Sequence, residues 1–555
     1  DVHQNLLQGQ NVTFTVVNGA AVFADPNGGI VTTDKDGIAS VNLASDQAVN
    51  SLIKAETNGS SQSVEVSFIT GDISQLTSTI KTDDVSYTAG GKIKVSVTLM
   101  DEQKNLVKGM ASLLAGSSVV EVSGTDKNET GNWSEESDGV YTSTRTAKIA
   151  GDRHYATLKL STWSSAQQSD AYAIRESGAV LAYSSIVTDK TAYTAGGAIK
   201  VTVTLKDSYE NLVGGQRDAI NQAIQLPNTK AESIAWNEDQ KGIYTATYTA
   251  LLPGTGLKAQ LQMSGWASAL TSNDYSISGD AASAQIVAMQ VTTGNPDVLA
   301  NGSDRHTVNV RVEDQFGNVL PEQTVTFTVT KGAAVFANAG QSADIRTDAH
   351  GMAEVDLSST VADASTVEAK INQSSDSKTV NFIADVSTAQ VAELVVTQDG
   401  SVADGSTANM LRVRVTDVFG NVLAGQTVSV LADNGATVAP TVITEPDGTV
   451  EISVTSQTAG TSAVTASINN SSQSRNVTFI ADVSTAQIAD LVVTRDNSVA
   501  DGAMANTLRV RVTDAFGNAL NGQTVSVLAD NGATVTPTVT TEPDGTVEIL
   551  SLIHI

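Results

Sequence analysis

The chain contains a long segment that occurs twice. The run ADVSTAQVAELVVT, which starts at Ala384, returns as ADVSTAQIADLVVT from Ala481, 97 residues later. Residues 384–452 and 481–549 are identical at 57 of 69 aligned positions. Repetition on this scale indicates duplication of a whole folding unit. The 555 residues are therefore expected to form a series of small domains rather than one large core.

Weaker copies extend the series over the rest of the chain. VRVEDQFGNVL from Val310 matches VRVTDVFGNVL from Val413, and NVTFTVVNGAAVFA near the start of the chain matches TVTFTVTKGAAVFA from Thr324. A second type of unit carries DDVSYTAGGKIKVSVTL from Asp83 and DKTAYTAGGAIKVTVTL from Asp189. The repeats predict a partial first domain, four full domains and a truncated last one. Their boundaries are 1–71, 72–177, 178–280, 281–385, 386–482 and 483–549.

Within a unit, apolar and polar residues alternate. Every second residue is apolar from Leu411 to Thr416, and again from Val308 to Glu313. This period of two is typical of a strand with one buried and one solvated face. The runs are short, rich in Val and Thr, and separated by turns with Gly, Asn and Asp, which indicates antiparallel β-sandwiches. We predict an all-β fold, with one or two helical turns at 217–225 as the exception.

Composition narrows the range of functions. Asp and Glu number 60 against 32 Lys and Arg, and the resulting net charge of −28 argues against a nucleic-acid-binding surface. The chain has no cysteine, so disulfides, thiolate metal sites and cysteine nucleophiles are excluded. No stretch approaches the ~18 consecutive apolar residues of a membrane-spanning helix.

One strand-and-turn run identifies a family resemblance. VRVTDxFGNxLxGQTVSV, at Val413–Val430 and Val510–Val527, and TEPDGTVEI, at Thr444–Ile452, resemble bacterial immunoglobulin-like (Ig-like) domains of group 1. Those domains are the repeats of the intimin/invasin family of inverse autotransporter adhesins. The units at 72–177 and 178–280 resemble the invasin domain-3 variant of the same sandwich. The resemblance implies tandem immunoglobulin-like β-sandwich domains arranged as an extended rod.

The same resemblance implies a function. In this family, a stalk of Ig-like domains projects a distal receptor-binding tip from a Gram-negative cell, and an N-terminal β-barrel holds the protein in the outer membrane. We therefore expect the stalk of a surface-exposed adhesin that is not an enzyme and that serves attachment and virulence. Its partner would be a host-cell receptor or surface, reached through a tip outside these residues. Contact with the membrane would come only through a barrel that is also outside them, and no nucleic acid is expected.

Two alternatives stay open. The Ig-like units could themselves bind host protein or glycan. They could also be linker modules of a secreted carbohydrate-active enzyme whose catalytic domain lies outside these residues.

The last six residues, LSLIHI at 550–555, depart from the sibling unit, which reads SVTSQT after Ile452. They resemble a translated sequencing-library adapter. We therefore exclude them from the fold prediction as a non-native tail.

Matched turns of the closest copies contain the same Asp, Gly and Asn residues. They are Asp417, Gly420, Asn421, Asp447 and Gly448 in one copy and Asp514, Gly517 and Asn518 in the other. Asx side chains close turns by bonding to their own backbone, so we predict structural turns. The alternative is Ca²⁺ at the domain junctions, since Ca²⁺ binds carboxylate and carbonyl oxygens. No other cofactor is predicted.

The four tryptophans all lie in the second type of unit. Trp133 and Trp163 belong to one copy, and Trp236 and Trp266 stand at matched places in the next. A large aromatic side chain between two sheets is an ordinary part of a sandwich core, so we predict core aromatics. The alternative is an aromatic binding platform, because Trp combines a large contact area with a polar group.

No catalytic or metal-binding residues are predicted. The five histidines are His3, His154, His306, His350 and His554, and none has the paired spacing of a zinc site. Neither a G-x-S-x-G nucleophile motif nor a phosphate-binding P-loop occurs.

Overall fold

The structure is a computed structural model that describes residues 1–127, 129, 131–230, 232 and 234–553. These residues form two compact units, Asp1–Ser278 and Gly279–Ile555. Both consist of short β-strands in small sheets with few helical turns, which confirms the all-β prediction.

The first domain of the first unit is built around one antiparallel sheet. Its strands lie in the order Ile30–Thr32, Asn11–Asn18, Asn50–Thr57 and Ser60–Ser67. A two-stranded ladder is formed by Val22–Phe23 and Leu43–Ala44.

The two tryptophan-containing domains share one topology of a four-stranded sheet and two three-stranded sheets. In the first, the orders are Ser134–Ser137, Val140–Thr146, Lys92–Thr98, Thr79–Thr82; Gly151–His154, Tyr172–Arg175, Ser86–Thr88; and Val120–Val122, Ala156–Leu158, Gln167–Gln168. In the second, they are Ser185–Thr188, Ala198–Thr204, Ile243–Thr249, Asn237–Gln240; Ala192–Thr194, Tyr275–Ser278, Gly254–Leu257; and Ile224–Gln225, Gln260–Leu261, Leu270–Thr271.

The second unit begins with two domains that each have a four-stranded and a five-stranded sheet. In the first, the orders are Gln285–Val291, His306–Glu313, Met352–Ser358, Val335–Phe336; and Val298–Leu299, Ser374–Ile383, Ala364–Ile371, Thr324–Lys331, Ser342–Arg346. In the second, they are Gln390–Gln398, Asn409–Thr416, Thr449–Thr455, Thr437–Val438; and Ser401–Val402, Ser471–Ile480, Gly460–Ile468, Thr427–Ala432, Thr441–Ile443.

The last domain repeats the four-stranded sheet and has a two-stranded ladder beside it. The orders are Gln487–Arg495, Asn506–Thr513, Thr546–Ile553, Ala533–Thr534; and Thr524–Ser526, Thr538–Thr540. Residues 550–553, which were left out of the fold prediction, continue the strand, with Leu550 opposite Thr507. His554 and Ile555 lie outside the described residues.

In the described residues, helical structure is limited to short turns. The α-helices are Ala111–Leu114 and Arg217–Ala223, and the 3₁₀ turns are Leu181–Tyr183, Ala281–Ser283, Val386–Thr388 and Val483–Thr485. The predicted helical segment at 217–225 is confirmed as far as Ala223. Its last two residues instead form a strand, because Ile224 and Gln225 pair with Leu261 and Gln260. Within the described parts of the chain, no helix is long and apolar enough to cross a membrane.

The predicted alternation of the strands is confirmed by burial. Leu411, Val413 and Val415 are fully buried, whereas Arg412 and Arg414 between them are exposed. Each apolar side chain of this size gains about 1.5–3 kcal/mol by leaving water, so burial of one face fixes the register of the strand.

Candidate functional site at the joints between domains

A turn with the pattern D-x-x-x-N follows a long strand in five of the domains. The pairs are Asp101 and Asn105, Asp207 and Asn211, Asp314 and Asn318, Asp417 and Asn421, and Asp514 and Asn518. We call this element the Asp–Asn turn. A bridge between Thr416 and Val422 closes one example, and a bridge between Thr513 and Ala519 closes the next.

The aspartate holds its own turn and the linker before its domain. The Oδ1 atom of Asp417 accepts the N–H groups of Phe419 and Asn421, both at 2.9 Å. Its Oδ2 atom accepts the Nδ2–H of Asn421 at 2.7 Å and the N–H of Asp385 at 3.2 Å. Asp417 is fully buried. One carboxylate therefore ties the start of the domain to the end of its central strand.

The asparagine reaches out of its own domain. Nδ2 of Asn421 donates to the carbonyl oxygen of Thr360 at 3.0 Å, and its Oδ1 atom accepts the N–H of Ala362 at 2.8 Å. Thr360 and Ala362 belong to the preceding domain. A single side-chain amide thus makes two hydrogen bonds to a loop of its neighbour, about sixty positions earlier in the chain.

Three other joints inside the two units repeat this contact. In each, the asparagine side chain binds one backbone carbonyl of the preceding domain and the N–H group two residues after that carbonyl. The amide partners are Asp46 O at 2.8 Å and Ala48 N at 2.9 Å for Asn105, Lys148 O at 2.7 Å and Ala150 N at 2.8 Å for Asn211, and Gln457 O at 2.9 Å and Ala459 N at 2.8 Å for Asn518. We call the segment that carries this pair the receptor loop.

Three of the four receptor loops are shaped by the local hydrogen bonds of a serine. Ser359 Oγ accepts the N–H of Val361 at 2.9 Å and donates to its carbonyl at 2.8 Å. Ser45 and Ser456 do the same for the residue two positions after them. Each serine thus forms hydrogen bonds with the N–H and the carbonyl of the middle residue of its loop. The carbonyl of the residue before it and the N–H of the residue after it bind the asparagine.

An aromatic side chain adds a packing contact at one joint. Tyr209 lies within the Asp–Asn turn of residues 178–280, against Gly90 of the preceding domain. A Cβ atom at Gly90 would be 3.3 Å from the ring atom Cε2 of Tyr209. Phe419 and Phe516 stand at the matching position of later turns and are about half exposed.

Burial and hydrogen bonding act in opposite directions on the aspartates of these turns. For Asp514, desolvation is the largest influence and opposes ionisation. The bonds from Asn518 and from backbone N–H groups together outweigh it and hold the pKa of the carboxyl below its usual range. The pKa of Asp207 is lowered in the same way. The turns of Asp207 and Asp514 therefore carry ionised, hydrogen-bonded carboxylates at neutral pH.

The Ca²⁺ alternative stays a prediction, and at Asp417 a calcium ion would compete with the hydrogen bonds of the turn. A carboxylate has about four lone-pair sites, and on Asp417 four N–H donors occupy both oxygens. Calcium needs six to eight oxygen ligands, so these donors would have to leave first. Across the described residues, no group of three or more His, Asp or Glu side chains is arranged to hold a metal ion.

The second predicted turn lies beside the Asp–Asn turn. Asp447 Oδ1 accepts the N–H and the hydroxyl of Thr449 at 2.9 and 2.8 Å. Gly448 has a φ of +77°, and its carbonyl accepts the N–H of Val415, in the strand that leads into the Asp–Asn turn. The structure thus brings together Asp417, Gly420, Asn421 and Gly448. The sequence placed them in turns but did not show that the turns meet.

The tryptophans fall into two classes of burial. Trp163 and Trp236 are 7% and 5% exposed and belong to the cores of their domains. Trp133 and Trp266 are partly buried and pack against the same cores. The indole N–H groups of Trp163 and Trp266 donate to backbone carbonyls of their own domains at 3.3 and 3.0 Å. All four side chains are therefore engaged in packing within their own domains.

Sequence reasoning missed the residues that complete the joints. Asn105 and Asn211 lie outside the FGN motif, and the receptor loops were not recognised although three of them share the short pattern S-x-x-A. The spacing of four between Asp and Asn, common to all five turns, was the one available signal for these asparagines.

Tandem β-sandwiches with a repeated joint define a modular protein of immunoglobulin-like domains. The chain belongs to the family of bacterial Ig-like domains (group 1), whose model matches residues 1–69, 288–383, 391–480 and 488–550. The resemblance expected from the strand-and-turn motif is thereby confirmed.

The chain is also similar to individual proteins. It is 34% identical over 353 residues to the inverse autotransporter adhesin YeeJ of Escherichia coli K12, a match that covers 63% of this chain and 15% of that protein. The solved Escherichia coli adhesin FdeC is 17% identical, with 57% of this chain and 99% of that chain covered at a TM-score of 0.35. The integrin-binding protein invasin is 24% identical, with coverages of 48% and 55% and a TM-score of 0.28.

Proposed function

We propose that these residues are part of the stalk of a bacterial surface adhesin of the intimin/invasin type. The stalk projects a distal binding tip from the outer membrane toward a host cell or surface and has no catalytic role of its own. The proposal is supported by the family membership and by the similarity to an adhesin of which this chain spans 15% of the length.

The single observation that carries the proposal is the repeated joint. Four pairs of consecutive domains are connected by the same two hydrogen bonds from an asparagine to a receptor loop. A spacer transmits position and force only if each domain is held in a set orientation to the next. A chain of independent binding modules has no need of such a joint.

The charge and the tryptophans support the same role. A net charge of −28 keeps long surface proteins soluble and apart from one another. The packing of all four tryptophans against the cores of their own domains favours a structural role over an aromatic platform for a host ligand.

The test is a replacement at the native locus. Residues 72–280 are exchanged for two copies of residues 386–482, which keeps the number of domains and removes the tryptophan-containing units. We expect attachment to host cells to stay within about twofold of wild type at equal surface display.

The result that contradicts the proposal is loss of attachment with normal surface display, because the exchanged units would then be the ones that bind. The purified chain provides a second measurement. As a spacer it does not compete with whole bacteria for host cells, whereas competition would assign binding to the Ig-like units themselves.

A further inference from the structure

The joints carry an inference that does not depend on the adhesin role. We propose that the Asp–Asn turn is a lock that fixes the orientation of consecutive domains without a bound cation. The asparagine is the positioning residue, and the receptor loop of the preceding domain is what it holds.

The asparagine amide is suited to this task because it serves both domains at once. The Nδ2 group has two hydrogens. On Asn421, one goes to Asp417 Oδ2 in its own domain at 2.7 Å and the other to Thr360 O in the preceding domain at 3.0 Å. The Oδ1 atom takes the N–H of Ala362. Rotation of either domain would break the two bonds across the joint together.

The aspartate keeps that amide in place. The bond from Asn421 Nδ2 to Asp417 Oδ2 fixes which end of the amide carries the hydrogens. The same Oδ2 atom accepts the N–H of Asp385, the residue at which the chain enters the domain. Linker, turn and receptor loop therefore meet at one carboxylate–amide pair.

The receptor loop is recognised through its backbone, so the residue that supplies the carbonyl is free to vary. The carbonyl comes from Asp46, Lys148, Thr360 or Gln457, and the N–H donor is an alanine in all four loops.

The lock is tested by distance measurements on the whole chain. Because the chain has no cysteine, cysteines introduced at Ser377 and Ser474 are the only sites for spin labels. Both positions are exposed, and they lie in neighbouring domains of one unit. Double electron–electron resonance then reports the spread of inter-domain distances.

We expect one narrow distance distribution in wild type, identical with 2 mM Ca²⁺ and with EGTA as probes. Asn421→Ala removes both bonds across the joint and lowers the ratio of locked to unlocked joints by about tenfold or more, which broadens the distribution. Asn518→Ala is the matched control, because it makes the identical change one joint further along. It should leave the distance between the labels unchanged.

Two results would overturn the lock. One is a distance distribution that stays narrow in Asn421→Ala, when thermal unfolding of this variant matches that of the control Asn518→Ala. The other is a wild-type distribution that is broad in EGTA and narrows with Ca²⁺. If Asn421→Ala unfolds its own domain, Ala362→Pro decides, since it removes the donor from the receptor loop and leaves the Asp417–Asn421 bond intact. Broadening then supports the lock, and an unchanged distribution refutes it.

Discussion

Gly448 offers a sharp test of how the turns hold the domain at residues 386–482. Its φ of +77° lies in the left-handed region, where any residue with a Cβ atom is strained by about 1–2 kcal/mol. A Cβ atom there would also lie 3.0 Å from the carbonyl oxygen of Val415 and 3.0 Å from Cβ of Val422. Crowding of a packed interior adds about 1–3 kcal/mol. We therefore expect Gly448→Ala to lower the free energy of unfolding of this domain by about 2–5 kcal/mol in total.

Gly420 is the matched control. Its φ of +90° is also left-handed, but a Cβ atom there would have no neighbour within 4 Å. Gly420→Ala should therefore cost only the backbone strain of about 1–2 kcal/mol. The difference between the two variants isolates the steric contact that the structure assigns to Gly448.

The assay must report on one domain of several. All four tryptophans lie in residues 72–280, so fluorescence does not follow this domain. Hydrogen exchange of the backbone amides of Leu411 and Val413, read by mass spectrometry, does. Each loss of about 1.4 kcal/mol speeds exchange of globally protected amides about tenfold. Equal exchange in Gly448→Ala and Gly420→Ala, or faster exchange in the control, would refute the steric argument.

Three further outcomes are expected. Trp163→Ala should destabilise residues 72–177 by about 3–5 kcal/mol and Trp133→Ala by less, since Trp163 is nearly fully buried and Trp133 is not. Denaturation is followed by the fluorescence of the remaining tryptophans, and equal loss of stability in the two variants would contradict this expectation. Tyr244→Phe should cost about 1–3 kcal/mol, because the N–H of Gln216 and the carbonyl of Val213 both lose the tyrosine hydroxyl as their hydrogen-bond partner. The variant should also lack the phenol whose pKa burial raises to about 12, as checked by ultraviolet titration. Asp207 and Asp514 have lower pKa values in the folded than in the unfolded protein. Their ionisation therefore stabilises the fold fully above the unfolded-state pKa of about 3.9, and this stabilisation is lost as pH falls through the folded-state pKa values. Calorimetry should find a melting temperature that is flat with pH above about 5 and falls below about 4, and a maximum at acidic pH would count against these assignments.

Much of the fold could be predicted from the sequence because it depends on neighbours in the chain. The alternation at Leu411, Val413 and Val415 sets which face of the strand is buried, and the structure buries that face. The helical segment at 217–225 shows the limit of such reasoning. Its helix ends at Ala223, because Ile224 and Gln225 find partners in a strand about 36 residues further along the chain.

The candidate site could likewise be predicted only in part from the sequence. Asp417 and Asn421 could be placed in a turn because the bonds between them span four residues. The contact from Asn421 to Thr360 and Ala362 spans about 60 residues and ends on backbone atoms. Three receptor loops share the pattern S-x-x-A, at residues 45–48, 359–362 and 456–459, but so short a pattern does not show which side chain binds the backbone groups of the loop.

The sequence by itself determined that this protein is a series of related β-sandwiches with Asp and Asn at matched turns. Hydrophobic periodicity and turn formation are local effects, because they depend on residues that are close together in the sequence. Only the tertiary structure decided that Asn421 and its counterparts bind the domain before them and that donors fill both oxygens of Asp417. Those facts depend on where two folded domains bring their backbones together, and packing over long separations in the chain sets that position.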